Sequence, residues 1–302
     1  MARKNDIRPD GQIRRSQIVT TFGPGALVDL PEHSGIVAGL EHWGDPEKPG
    51  SGFVEVIEPR LLSRLPGTRK LYTPPTLARD DEARVGIVVW EFPRWFLLQP
   101  DAPEERWDHA RGLRSRQLVH RDSFRGMFVG KRKAVPIRFV QACRFGHIGD
   151  IDWSKFVHEG PASCSGELWL DEGGTTGDFA DIFVRCRGCK LSRSLAEAIP
   201  RRPDDADDMP LGSCRGCEPW LGPDRWRGEQ GGCPPGALEE PETREPIGNR
   251  LLVRSATNAY FPELMTVISI PEHRSPLDEA VAAAWEVLGA EVHTLDDLRG
   301  AR

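Results

Sequence analysis

The chain has 302 residues, a formal net charge of −6, 38% hydrophobic and 28% charged residues, a composition that suits one large soluble domain or two ordinary ones with a real core. No stretch approaches the roughly 20 apolar residues of a membrane helix. Met1–Gln12 is charged and lacks an apolar segment, so no secretory leader is read there and a cytoplasmic location is expected. Mild acidity argues against a surface that grips nucleic acid all round, although net charge says nothing of local patches.

In chain order, residues 1–12 read as a solvated tail. Ser16–Phe22 is β-branched and reads as a strand running into the turn Gly23-Pro24-Gly25. A phosphate cradle is excluded there, because the lysine and hydroxyl of a P-loop are missing. Ile36–Leu40 predicts a short strand, and Val54, Ile57, Leu61, Leu62 and Leu65 fall at helical spacing. Val85–Leu98 begins as a buried strand that Pro93 must bend or end.

Between Arg111 and Arg138 the charge turns sharply basic. Arg111, Arg114, Arg116, Arg121, Arg125, Lys131, Arg132, Lys133 and Arg138 stand against Asp122 alone, with Phe124 and Phe128 interleaved. That pattern predicts a surface for nucleic-acid phosphates or for an acidic partner. The chain's own acidic loops, Asp204, Asp205, Asp207 and Asp208 or Glu239, Glu240 and Glu242, could equally receive it. Gly130-Lys131-Arg132 is not a nucleotide site, since arginine stands where a magnesium-binding hydroxyl belongs.

Val135–Cys143, Gly166–Asp171 and Ala180–Cys186 read as strands, the first and last each ending on a cysteine. Residues 200–249 carry many prolines and little periodicity, and so need something other than an apolar core to order them. Arg250–Ala256 and Leu264–Ile270 return to strand character. Ser275, Pro276, Asp278 and Glu279 open a terminal helix with Leu277, Val281, Ala284, Trp285 and Leu288 on one face, closed by Gly289.

All seven cysteines lie between residues 143 and 233. Cys186-Arg-Gly-Cys189 and Cys214-Arg-Gly-Cys217 are C-x-x-C knuckles whose spacing lets both thiolates reach one tetrahedral ion, with a glycine that permits the tight turn. Cys143, His147, Cys164 and Cys233 complete eight ligands, enough for two closed structural zinc sites. Spacing leaves the pairing open. The two knuckles could share one ion as a ribbon, leaving Cys143, His147, Cys164 and Cys233 for the other, or the sets could interleave. A redox C-x-x-C would stand alone near a βαβ unit, a Cys143–His147 catalytic pair would be too close in sequence, and the H-x-E of a zinc deaminase is missing. No complete catalytic constellation emerges, so an enzyme is not expected.

Several segments together resemble the DrmB family, the helicase-partner subunit of the DISARM bacterial anti-phage defence system. They are Arg14–Leu27, Phe92-Pro93-Arg94-Trp95, Arg138-Phe139-Val140 with Cys143, Gly146, His147, Asp150 and Trp153, then Cys186, Cys189 and Arg193-Ser194-Leu195, Cys214, Cys217 and Pro219-Trp220-Leu221-Gly222, and finally Arg254–Pro262. The resemblance implies a non-catalytic subunit that joins a DISARM helicase and supports binding of foreign DNA through the complex. Family members often carry a cysteine pair after the Phe-Pro-x-Trp segment. Here Phe96-Leu97-Leu98-Gln99 follows it, so one metal site of the family is expected to be missing, and the chain reads as a short version.

The expected architecture is mixed α+β: an N-terminal sheet-containing region, 13–134, with the basic segment 111–138; a zinc-stapled, loop-rich, ribbon-like module, 135–249; and a strand–helix closure, 250–302. The expected function is a zinc-stabilised scaffold in phage defence, with no membrane and no small-molecule substrate. The alternative is a self-standing zinc-ribbon protein that binds nucleic acid or regulates.

Overall fold

The computed structural model describes residues 13–30, 33–75, 86–100, 114–161, 164–173, 178–201, 208–226, 228, 233, 247–256, 259–268, 280 and 284. They belong to two compact units, a larger one of Met1–Val56 and Tyr72–Leu264, and a smaller one of Ile57–Leu71 and Met265–Arg302. The expected mixed α+β class is what the fold shows, weighted toward sheet. Its strands are β1 Leu27–Asp29, β2 Ser34–Val37, β3 Glu55–Val56, β4 Leu71–Tyr72, β5 Val89–Glu91, β6 Trp95–Leu98, β7 Arg114–His120, β8 Phe128–Val129, β9 Arg132–Pro136, β10 Phe139–Ala142, β11 Ile148–Gly149, β12 Leu168–Glu172, β13 Ile182–Cys186, β14 Ser192–Ser194 and β15 Arg250–Val253. The helices are α1 Arg15–Thr20, α2 Pro59–Leu62 and α3 Trp153–His158.

In the larger unit an antiparallel seven-stranded sheet runs in the order β14-β13-β12-β7-β6-β9-β8. Alternation decides its faces: Ile182, Val184 and Cys186 of β13 and Leu168 and Leu170 of β12 point into one core, with Leu97 and Leu118. Helix α3 covers that core with Trp153, Phe156 and Val157, at the i, i+3, i+4 spacing that puts three side chains on one helix face. Its first turn is capped by the Asp152 carboxylate, which accepts the Lys155 N–H at 3.1 Å. On the opposite face Asp171 is buried and holds Arg185 Nε at 2.6 Å and Ser115 Oγ at 2.7 Å, so the charge is paired across three strands.

Two smaller sheets flank this one, β1-β2-β5 and β11-β10-β15. Strand β10 belongs to two cores, since Phe139 packs into that of the large sheet and Val140 packs with Ile36, Phe92 and Ile148. The Arg254 guanidinium bonds the Ile137 carbonyl and pairs with Ser34 and Asp29, which ties the first sheet to the start of β10. The Pro219–Leu221 turn docks here as well, with the Trp220 carbonyl accepting the Gly39 N–H at 2.9 Å. The boundary expected at residue 134 falls inside β9, and the large sheet draws strands from both sides of it.

Local readings fared unevenly. Ser16–Phe22 is not a strand. Helix α1 covers most of it, because Gln17 Oε1 accepts the Arg14 N–H at 3.1 Å, Thr20 Oγ1 bonds the Ser16 carbonyl at 2.8 Å, and Ile18 is buried against Ala26, Val28 and Val37. The helix expected from Val54 to Leu65 shrinks to the single turn α2, which Pro59 opens behind the Glu58 cap. Val85–Leu98 divides at the cis Phe92–Pro93 bond into β5 and β6, and Val135–Cys143 divides into β9 and β10. Leu264–Ile268 forms no strand. In the smaller unit, Arg60 donates to the Ile268 carbonyl at 2.9 Å, and Ala280 and Ala284 of the expected terminal helix are helical. The rest of that helix, the tail 1–12, Arg111 and the acidic loops apart from Asp208 lie outside the described residues.

Candidate metal centres

Two groups of four nitrogen and sulfur donors form in the larger unit, each with its ligand atoms within 4.8 Å of one another: Cys143, His147, Cys214 and Cys233, and His158, Cys164, Cys186 and Cys189. The arrangement is interleaved, since the second group is nested in sequence between the two halves of the first. The ribbon pairing of Cys186/Cys189 with Cys214/Cys217 does not form.

In the first group Cys143 leaves the end of β10 and His147 precedes β11, so the hairpin between those strands presents both. Cys143 Sγ stands 3.4 Å from His147 Nδ1 and 3.9 Å from Cys233 Sγ, which is 3.2 Å from the same ring nitrogen. The backbone N–H groups of Phe145 and Gly216 donate to Cys143 and Cys214 at 3.3 Å each. Gly216 reaches that position at φ 70°, a left-handed conformation glycine adopts without strain.

In the second group β13 delivers Cys186 at its buried end, 3.5 Å from Cys164, and Cys189 lies 3.3 Å from His158 Nε2. His158 ends α3 and bonds the Ser154 carbonyl through Nδ1 at 2.7 Å, which turns Nε2 toward the thiols. The two loops approach closely. A side chain at Gly166 would bring its Cβ to 2.6 Å from the Gly188 nitrogen and 2.8 Å from Cys186 Sγ.

These distances fit tetrahedral zinc. With Zn–S of about 2.3 Å and Zn–N of about 2.05 Å, the tetrahedral edges are about 3.8 Å between sulfurs and about 3.5 Å between sulfur and nitrogen. All seven cysteines are free of disulfides. Electrostatics prepares one thiolate in each group. Cys143 is drawn down to about 4, first by the Cys214 thiol that donates to it, then by the Phe145 N–H and His147, against burial. Burial raises Cys186, but the N–H groups of Cys189 and Gly188 and the thiols of Cys164 and Cys189 outweigh it and bring it to about 6. Burial and the neighbouring Cys143 charge push Cys233 up to about 11, so full ligation releases protons. A tetrahedral ion held by all four protein donors of a group would have no position for a reacting water.

Seven of the eight ligands read from sequence thus meet in the two groups. Cys217 belongs to neither: it packs against Gly149, and burial raises its thiol. His158 takes the eighth place. A signal for it exists in the sequence, because Asp152 as cap followed by Trp153, Phe156 and Val157 marks a short helix whose last turn ends on His158, six residues before Cys164.

A family described as a domain of unknown function, DUF8724, matches residues 14–261. The chain belongs to that family. All eight candidate ligands of this DUF8724 member fall inside the matched residues. DISARM protein DrmB of Bacillus paralicheniformis is 30% identical over 173 residues, 56% of this chain and 26% of that protein. The chain therefore spans about a quarter of the length of the curated relative it matches.

The basic segment of this DUF8724 chain is divided in its surroundings. Arg116 and Arg138 pair with Glu172, Arg121 pairs with Glu91 and stacks over Phe96 and Phe124, and Arg132 bonds Gln117 at 2.9 Å. The acidic partners of Arg116, Arg121 and Arg138 among the described residues are thus Glu91 and Glu172, both on strands. Arg114 stands exposed at the head of β7, Arg125 is exposed before β8, and Lys131 and Lys133 are exposed on the β8–β9 hairpin beside Phe128. Among the described residues, no helix is long and apolar enough to cross a membrane.

Proposed function

We propose that the chain is a non-catalytic subunit of a DISARM-type phage-defence assembly, held in shape by two structural zinc ions and partnering a helicase. The observation that carries this reading is the 30% identity to DISARM protein DrmB over 173 residues. The nitrogen–sulfur sets support zinc because soft thiolates with imidazole at tetrahedral spacing favour that ion over magnesium or calcium. In this reading the β8–β9 hairpin, with Arg125, Lys131, Lys133 and the exposed ring of Phe128, meets the phosphate backbone of DNA held by the complex, while the paired arginines stiffen the sheet beneath it.

The experiment is co-expression with a DISARM-type helicase from the same genome. Co-purification of the two, and loss of phage resistance when Cys186→Ser is introduced, are the expected results. A chain that neither binds the helicase nor changes plating efficiency sinks the reading. The DNA contact is tested separately: replacing Lys131 and Lys133 by glutamine should lower the salt dependence of DNA binding by the complex by about two phosphate contacts.

A further inference from the structure

A cavity of about 940 Å³ opens in the larger unit between α3, the end of β10 and the loop that carries Cys217. None of the eight metal ligands lines it. Its rim charges are largely paired with one another, Lys155 with Asp152 and Arg193 with Glu197. The inner wall differs. Gln141 Oε1 is buried there and has no hydrogen-bond partner among the described residues. Asp150 lines the same cavity, and among the described residues its two oxygens accept the Arg94 N–H alone, at 3.0 and 3.2 Å. Trp95 and Trp226 line the same cavity, and the chain's own Arg94 guanidinium lies over one face of the Trp226 ring, 4.5 Å from its centroid.

An unpartnered carbonyl and a carboxylate with acceptor capacity to spare ask for a ligand with several donors. Aromatic walls favour a flat, weakly hydrated one. Guanidinium meets each demand: it is planar, it presents N–H donors in several directions for a carboxylate and a carbonyl, and it stacks on indole.

We propose that this cavity binds a guanidinium group of the kind an arginine side chain carries, with Asp150 and Gln141 as its acceptors. The inference stands apart from the phage-defence proposal and from the metal centres, and would hold if the assembly were of another kind.

The full chain loaded with zinc supplies its own reporter, because Cys217 lines the cavity and is the one cysteine outside both metal groups. N-acetyl-arginine amide is titrated by calorimetry, and its protection of Cys217 from alkylation is followed by mass spectrometry. Saturable binding that slows Cys217 labelling is expected. The neutral isostere N-acetyl-citrulline amide should bind about tenfold or more weakly, and Asp150→Asn should cost about tenfold or more in affinity for the arginine probe. Gln141→Leu separates binding from folding: removing a buried orphan acceptor should leave the melting temperature unchanged or raised while it weakens the probe. Equal binding of the citrulline probe, preference for adenosine monophosphate, undiminished affinity in both variants, or no binding at millimolar probe would each overturn the proposal.

Discussion

Exchanging His158 and Cys217 in turn tests whether the fold or the linear spacing identifies the second centre's ligands. The structure gives His158 Nε2 to the Cys164–Cys186–Cys189 group and leaves Cys217 outside both groups. Structural zinc binding is worth about 10–16 kcal/mol over four ligands, so one ligand's share is of order 3 kcal/mol, about two powers of ten in zinc affinity. His158→Ala protein, challenged with a chelator that competes at that level, should therefore fall from about two zinc ions per chain to about one. Cys217→Ser should keep about two, since it removes a sulfur that faces Gly149 and no ion. Plasma mass spectrometry of protein purified under reducing conditions reads the ratio directly. If Cys217→Ser loses an ion and His158→Ala keeps both, the grouping described above is wrong.

Three further outcomes follow from the same geometry. Gly166→Ala should loosen the second centre and cost about 1–3 kcal/mol in urea unfolding, because its Cβ meets the Gly188 backbone at 2.6 Å and neither loop can yield without moving a ligand. Arg185→Met should cost about 3–5 kcal/mol by leaving buried Asp171 uncompensated, and adding Asp171→Leu should recover much of that loss if the charge is the cause. Asp150 supplies a pH signature. Burial lifts its carboxyl to about 7, against the Arg94 N–H and charge, so the native state holds a proton that the unfolded chain has released. Stability must then fall as pH rises from about 4 to about 7, and the melting temperature of Asp150→Asn relative to the parent should climb across that interval. A constant difference between the two proteins would refute the assignment.

The cysteine knuckles were legible because the distance between two ligands in a C-x-x-C turn is fixed by local geometry. Which knuckle member reaches an ion is fixed elsewhere. Cys217 obeys the spacing yet is turned aside by packing on Gly149, while His158 is brought in by a helix whose orientation depends on burying Trp153 and Phe156 under the large sheet. Charge shows the same division. The basic run between residues 111 and 138 is plain in the sequence, but its neutralising partners are not, because Glu91 lies 30 residues before Arg121 and Glu172 lies 56 after Arg116. Strand propensity misled at Ser16–Phe22, where the bond Gln17 accepts from Arg14, the bond Thr20 donates to Ser16 and the burial of Ile18 outweighed a β-branched run. Pro93 was a dependable marker, because a missing N–H interrupts a ladder in any tertiary context.

The nesting of the metal groups sets an order of assembly. The inner bracket spans the 31 residues from His158 to Cys189, and the outer one spans the 90 residues from Cys143 to Cys233. Loop-closure entropy favours the inner one by about 1 kcal/mol, and once it is shut the outer bracket has a shorter effective length of free chain to close. Folding can thus proceed from the inside out. In that order α3, β12 and β13 with a bound ion would form the seed, and the proline-rich loop carrying Cys214 and Cys233 would be the clasp fastened last.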